Sequence, residues 1–345
     1  LVTGGAGFIG SHVAEFYAGR GDGVTVLDNL SRQRLLGKSE ANALCNWNHL
    51  EGLGGVTLIR GDICDAGALD QVCPGVELIV HCAAQTAVTT SIVRPEEDFS
   101  SNARGTFSLL EAARRHRVPA VIYCSTNKVY GDRPNSLPLV ELETRWEVDP
   151  AHPFAGGIDE SMSVDQCLHS LFGASKLAAD VMVQEFGRYF GMNTVCFRGG
   201  CLTGPNHSGA QLHGFLAYLM KCAATDTPYT VFGYKGKQER DNIHSHDLLR
   251  AFYVYRKAPR PGAVYNIGGG RHSNCSMLEA IRICETITNR EMIWDYDEAN
   301  RVGDHIWWVS GLNTFKHDFP DWAPQHSIVE ILQEIYEYNR GRWKE

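Results

Sequence analysis

Along the first 200 positions the apolar residues fall into short, β-branched runs with little polar alternation: Leu1–Thr3, Val24–Asp28, Val56–Arg60, Leu78–Cys82, Ala120–Ser125 and Asn193–Arg198. A strand buried on one face alternates apolar and polar residues. One buried on both faces need not, which is the habit of parallel sheets. Between the runs lie stretches with helical spacing: Ser11–Ala18, Asn102–His116 and Phe172–Tyr189. The alternation predicts an α/β fold with a doubly wound parallel sheet. Val264–Ile267 reads as a late extra strand. After about Arg198 the chain becomes richer in glycine, proline, aromatics and long connections. The pattern therefore predicts one domain over residues 1–200, with a return strand near 264–267, and a smaller C-terminal lobe over 201–345. Arg32–Gly55 and Asp132–Leu168 read as long irregular loops, and loops of that length are as a rule functional or mobile.

Composition narrows the class without naming a chemistry. The 345 residues are 43% hydrophobic and 21% charged, ordinary for a globular protein. A net charge of −8 argues against a nucleic-acid surface. No apolar run reaches the roughly 18–20 residues a membrane span needs. No signal peptide is visible at the start, and the chain opens inside a strand without an initiator Met, so a few preceding residues are expected. Eleven cysteines, an odd number without CxxC spacing, suit reduced thiols in the cytoplasm. His244/His246 and His305 beside Asp304 have no third ligand at a helical spacing, so no metal site is expected.

The candidate chemistry begins at Gly4-Gly-Ala-Gly7-Phe8-Ile9-Gly10, a glycine-rich turn between a strand and a helix. The first glycine permits the tight turn, the second lets backbone approach a pyrophosphate, and the third lets helix and strand pack closely. The helix N-terminus then faces the phosphates. Asp28 ends the next strand, where a carboxylate can hydrogen-bond a ribose diol and repel a 2′-phosphate, favouring NAD over NADP. Asn29, Ser31 and Arg32 follow in the same loop, and Arg32 weakens the preference because a guanidinium can pair a 2′-phosphate.

Four further segments converge with this loop. Asp62-Ile63 follows the third strand, where an acid can meet an adenine amine. His81-Cys-Ala83-Ala84-Gln85 follows the fourth, with small residues that let a cofactor lie against backbone. Ser125-Thr126-Asn127-Lys128-Val-Tyr-Gly131 follows the fifth. Phe172-Gly-Ala-Ser-Lys176 opens a helix, with Phe172 and Lys176 on one face. Together these resemble, over essentially the whole chain, the extended short-chain dehydrogenase/reductases, the family of nucleotide-sugar epimerases and dehydratases. The resemblance implies a Rossmann-type fold, NAD as cofactor with Asn102 among its contacts, and a nucleotide-diphosphate sugar as substrate. It also implies a homodimer formed through helices 102–116 and 172–189. Thr126 stands at the family's Ser/Thr position, and Lys176 at its Lys, which orients the cofactor. Gln85 is expected to touch sugar and nicotinamide. Arg240 and Arg301 resemble the paired arginines that hold the diphosphate, a task for which two guanidiniums suit.

Asn127 and Lys128 stand where the 4,6-dehydratases of that family have Asp and Glu, so water elimination is disfavoured. The segment is similar instead to the 2-epimerases of CDP-sugars, as are Thr89–Ile92 and Asn266–Gly269. These oxidise C2 with tightly held NAD⁺ and return hydride to the opposite face. Net dehydrogenation, another dehydration and 4-epimerisation stay open on the same scaffold. Phe172 stands where the family has its tyrosine base, and a lost general base costs roughly 10²–10⁴-fold. Three readings follow: another base, with Lys128 preferred and His169 second; a Tyr→Phe variant; or binding of NAD and sugar without turnover. Arg198-Gly-Gly-Cys201-Leu-Thr203-Gly-Pro205 also departs from the family, which leaves the sugar open.

Overall fold

The computed structural model describes residues 1–31, 44–205, 214–300 and 303–344. Seven strands form the main sheet: β1 (Val2–Thr3), β2 (Val24–Asp28), β3 (Val56–Arg60), β4 (Leu78–His81), β5 (Ala120–Thr126), β6 (Asn193–Gly199) and β7 (Ala263–Ile267). Their order across the sheet is β7-β6-β5-β4-β1-β2-β3. The pairings β1–β2, β1–β4, β2–β3 and β4–β5 are all parallel. This is the Rossmann-type, doubly wound arrangement, and the strand order reverses between β1 and β4, where open α/β sheets bind ligands. β4 is buried throughout and β6 nearly so, which is why neither run alternates.

The helices that matter for the site are α1 (Phe8–Ala18), α2 (Gly105–Arg115) and α3 (Ser170–Phe190). α1 begins three residues before the predicted Ser11. α3 stops at Gly191, whose φ of +65° is the left-handed conformation that ends helices. The expected helix Asn102–His116 is two pieces: α2 is preceded by a wide, π-helical turn over Ser100–Arg104. Such turns concentrate at functional sites. Here the turn carries Asn102, and its end brings Gly105 so near Ile63 that an added Cβ would lie 2.6 Å from Ile63 Cδ1.

The chain divides into two compact units. The first is 1–129, 169–198 and 251–265; the second is 130–168, 199–250 and 266–345. A single cut near residue 200, with only 264–267 returning to the first domain, differs from this in assigning 130–168 to the first unit and 251–263 to the second. The second unit has its own core where α4 (Phe215–Thr225), α5 (Met277–Thr288) and α6 (Ile328–Asn339) pack Leu216, Leu219, Met220, Ile281, Ile331 and Ile335 together. Capping boxes Ser276/Glu279 and Ser327/Glu330 start α5 and α6. The segment expected to be an irregular loop over 132–168 holds an antiparallel hairpin, Leu139–Glu141 with Trp146–Val148. In the other expected loop, Arg32–Gly55, Cys45–Glu51 is helical and residues 32–43 lie outside the described residues.

Candidate active site

The chain leaves β1 and turns at Gly4, where φ is +72°. A Cβ there would sit 2.6 Å from Ala83 N, so the loops after β1 and β4 meet backbone to backbone. Gly7 N–H donates to Gly4 O at 3.0 Å and closes the turn. A Cβ on Gly10 would overlap that same Gly4 carbonyl. α1 therefore starts hard against the loop, with buried Phe8 and half-buried Ile9 in its first turn. It has no side-chain cap and no acidic residue in that turn. A helix N-terminus lacking its own carboxylate suits a bound anion.

The tips of β2 and β3 are tied by side chains. Asp28 accepts from Ala6 N–H at 2.9 Å and from Leu30 N–H at 2.8 Å, which fastens β2 to the glycine loop. Asn29 Nδ2 donates to Asp62 at 2.8 Å, and its Oδ1 accepts from Ser31 N–H. Burial alone would raise the Asp62 pKa, but bonds from the Cys64 amide and Asn29 outweigh it and hold the carboxyl below its usual range. Ile63, just after β3, is buried, and Ala84, after β4, is half-buried. Arg32 lies outside the described residues. The side-chain-free loop, the acid-free helix start and the carboxylate on β2 fit a dinucleotide.

At the end of β5 the backbone turns through Asn127–Tyr130. Lys128 N–H donates to Thr126 Oγ1 at 3.2 Å, and Thr126 Oγ1 reaches Asn127 Oδ1 at 3.4 Å. α3 abuts this turn: a Cβ on Gly173 would lie 2.6 Å from Lys128 O. One turn further along α3, Lys176 Nζ donates to Cys124 O at 2.8 Å and lies 4.2 Å from the Tyr123 ring centre. The fold thus brings Thr126, Lys128, Phe172 and Lys176 to one place. Phe172 is 7% exposed, and its phenyl ring has no proton to give or take. Burial draws the Lys176 ammonium down to about 8, against smaller opposing contributions from nearby groups.

A buried polar network behind these residues escaped the sequence reading. Asp98 accepts from Gln85 Nε2 at 2.7 Å and from Asn102 Nδ2 at 3.2 Å, and its other oxygen is 2.6 Å from Ser175 Oγ. Asn102 also donates to Gln85 O and Ser175 Oγ, and accepts from Gln85 N–H. Burial raises the Asp98 pKa despite bonds from Ser175 and Gln85. Gln85 and Asn102 therefore direct their side chains to Asp98, Ser175 and the Ala87 backbone, locking the loop after β4 to α3. His81 is buried between Thr3 Oγ1 (2.7 Å) and Thr106 Oγ1 (2.9 Å). Burial and then the Lys176 charge push its pKa down to about 3, so the ring is neutral. Asp98 carried no sequence signal, because its partners come from three separate segments.

In the second unit, Arg240 lies on the strand Glu239–His244, with Nη1 donating to Glu239 O and Nη2 3.9 Å from Asp304. At that distance the ion pair is loose, which leaves the guanidinium able to take an anion. Arg301 lies outside the described residues. Thr203 is buried and Cys201 half-buried on the strand Cys201–Thr203.

Comparison with known proteins fits this geometry. The sequence profile of the NAD dependent epimerase/dehydratase family matches residues 1–268. CDP-paratose 2-epimerase of Salmonella typhi is 33% identical over 349 residues, covering 98% of each chain. A dTDP-glucose 4,6-dehydratase of Streptomyces niveus is 33% identical over 288 residues, 81% of this chain and 76% of that one. The crystal structure of Thermus thermophilus UDP-glucose 4-epimerase in complex with NAD covers 99% of this chain and 98% of its own, with a TM-score of 0.78 at 24% identity, a likeness of fold.

Proposed function

The chain belongs to the NAD dependent epimerase/dehydratase family, and we propose that it inverts C2 of a nucleotide-activated hexose, a CDP-sugar, in the manner of CDP-paratose 2-epimerase. The observation that carries this reading is the end of β5, where Thr126, Asn127 and Lys128 stand together without a carboxylic acid. Elimination of water needs an acid and a base there; inversion needs only a group that takes one hydroxyl proton and returns it.

NAD, when bound, supplies the hydride acceptor and, on return, the donor. Gly4, Gly7 and Gly10 shape its phosphate seat, Asp28 and Asp62 border its adenosine, and Lys176 orients its nicotinamide ribose. Arg240 and Arg301 pair the sugar's diphosphate. Thr126 offers its hydroxyl to the reacting sugar oxygen. Lys128 takes the proton from that oxygen and gives it back after the keto sugar has presented its other face. Phe172 takes no proton.

A homodimer is supported by apolar residues left exposed on α2 and α3, among them Phe107, Val181, Met182 and Phe190. All eleven cysteines are free thiols, which agrees with work in the cytoplasm. No helix among the described residues is long and apolar enough to cross a membrane.

A second reading, binding without turnover, is favoured by the buried Phe172 ring. The deciding experiment incubates the protein with NAD⁺ and CDP-paratose in D₂O and follows the sugar by NMR and absorbance at 340 nm. Appearance of the 2-epimer without lasting NADH supports the proposal. Accumulating NADH makes the protein a dehydrogenase. Saturable binding with an unchanged sugar makes it a sensor.

A further inference from the structure

The sequence offered His244 and His246 without a third ligand. The fold of the second unit brings two other ligands to His244 in place of His246. The strand Glu239–His244 ends where Gln325–Ser327 leads into α6, and His244, His326 and Glu334 gather there, their ligand atoms all within 4.8 Å of one another. His244 Nε2 is 3.0 Å from Glu334 Oε2. The His244 and His326 rings stack with centres 4.2 Å apart. Behind them Asp247, fully buried, accepts from His326 Nδ1 at 2.9 Å. It also accepts from the backbone N–H groups of Gln325 and His326.

That last arrangement is the informative one. A carboxylate holding one ring nitrogen fixes the tautomer and turns the lone pair of the other outward, which is how metal-bound histidines are set. Two stacked imidazoles would repel if both were protonated; an ion shared between them removes that conflict. We propose that His244, His326 and Glu334 form a site for a divalent transition-metal ion, zinc by its two nitrogens and one oxygen, which ties α6 to the end of the Glu239–His244 strand.

Tetrahedral zinc with bonds of about 2.0–2.2 Å sets ligand atoms roughly 3.3 Å apart, so side-chain rotation suffices to close the site. The cost is the hydrogen bond from His246 N–H to His244 Nδ1 at 3.2 Å and the direct His244–Glu334 contact, because a metal on Nε2 leaves the proton on Nδ1. With three protein ligands and that loss, affinity is on the order of micromolar.

The test uses tag-free, chelator-treated full chain, titrated with Zn²⁺ by calorimetry and with Co²⁺ by visible absorption. One ion per chain is expected, with Co²⁺ ligand-field bands. Saturating Zn²⁺ raises the melting midpoint of the wild type by mass action. His326→Ala and Glu334→Gln, at side chains 28% and 46% exposed, each weaken binding by ~10-fold or more. His246→Ala leaves it within about 2-fold of wild type. The proposal falls if no saturable 1:1 binding occurs, if the midpoint does not move, or if both ligand variants bind as wild type. It also falls if His246→Ala abolishes binding while Glu334→Gln does not, which would move the ion to His246, Asp247 and His326.

Discussion

Phe172→Tyr returns a phenol to a position one helical turn before Lys176, and its effect depends on whether a base already exists. The drop of Lys176 from 10.5 to about 8 is worth on the order of 3 kcal/mol against its charged form, at roughly 1.36 kcal/mol per pH unit. A phenolate on the same face relieves part of that. With about 6 Å between the groups and an effective dielectric constant near 20, the attraction is ~3 kcal/mol. That attraction lowers the phenol's pKa, against the burial that raises it. If Lys128 already moves the proton, the added phenolate changes kcat/KM by less than ~10-fold; if nothing does, the gain is roughly 10²–10⁴-fold. The companion variant Lys128→Ala lowers kcat/KM by roughly 10²–10⁴-fold with NAD affinity unchanged, and Phe172→Tyr restores activity in that background. The assay is the initial rate of 2-epimer formation, by NMR or chromatography, between pH 6 and 9. Near-wild-type turnover in Lys128→Ala removes Lys128 as the base. A loss beyond ~10-fold in Phe172→Tyr shows a pocket shaped around the phenyl ring.

Three other outcomes are expected. Gly10→Ala drives a methyl into the Gly4 carbonyl, so the purified protein carries less NAD and loses about 1–3 kcal/mol of stability in urea titration; wild-type values for both would refute the close-packing argument. Asp28→Ala removes the acceptor of two backbone N–H groups and weakens NAD by roughly 10–100-fold, read by fluorescence quenching, with an unchanged Kd counting against it. The neutral His81 makes stability fall in acid. Its folded pKa, about 3, lies below the ordinary 6.5, so its contribution is complete above about pH 6.5 and fades as the pH drops toward 3. The whole window is worth on the order of 5 kcal/mol. Between pH 7 and 4.5, wild type should lose on the order of 2–3 kcal/mol more than His81→Asn in denaturant unfolding; parallel losses would show that His81 does not stay neutral.

The seven strands of the main sheet were legible to within one residue at either end, since their apolar runs are short and bounded by turn residues. The glycine turn was equally plain, because Gly4 and Gly10 are needed for backbone contact that no other residue permits. What stayed hidden depended on distant partners. The π-helical turn at Ser100–Arg104 carries Asn102, whose side chain bonds Gln85 and Ser175 from distant segments. Asp98 looks in sequence like any acidic residue of a helix's first turn. His326 and Glu334 lie more than 80 residues past His244, beyond any spacing rule.

The discontinuous path of the chain has a bearing on biosynthesis. β7 neighbours β6 in the sheet, yet 63 residues separate Gly199 from Ala263. While the ribosome makes that stretch, the nascent sheet shows the bare N–H and C=O groups of β6 along one side, a surface that recruits foreign strands. A gene truncated near residue 200 would freeze this exposed margin, and its product should precipitate or need a chaperone, however complete its nucleotide-binding half looks on paper.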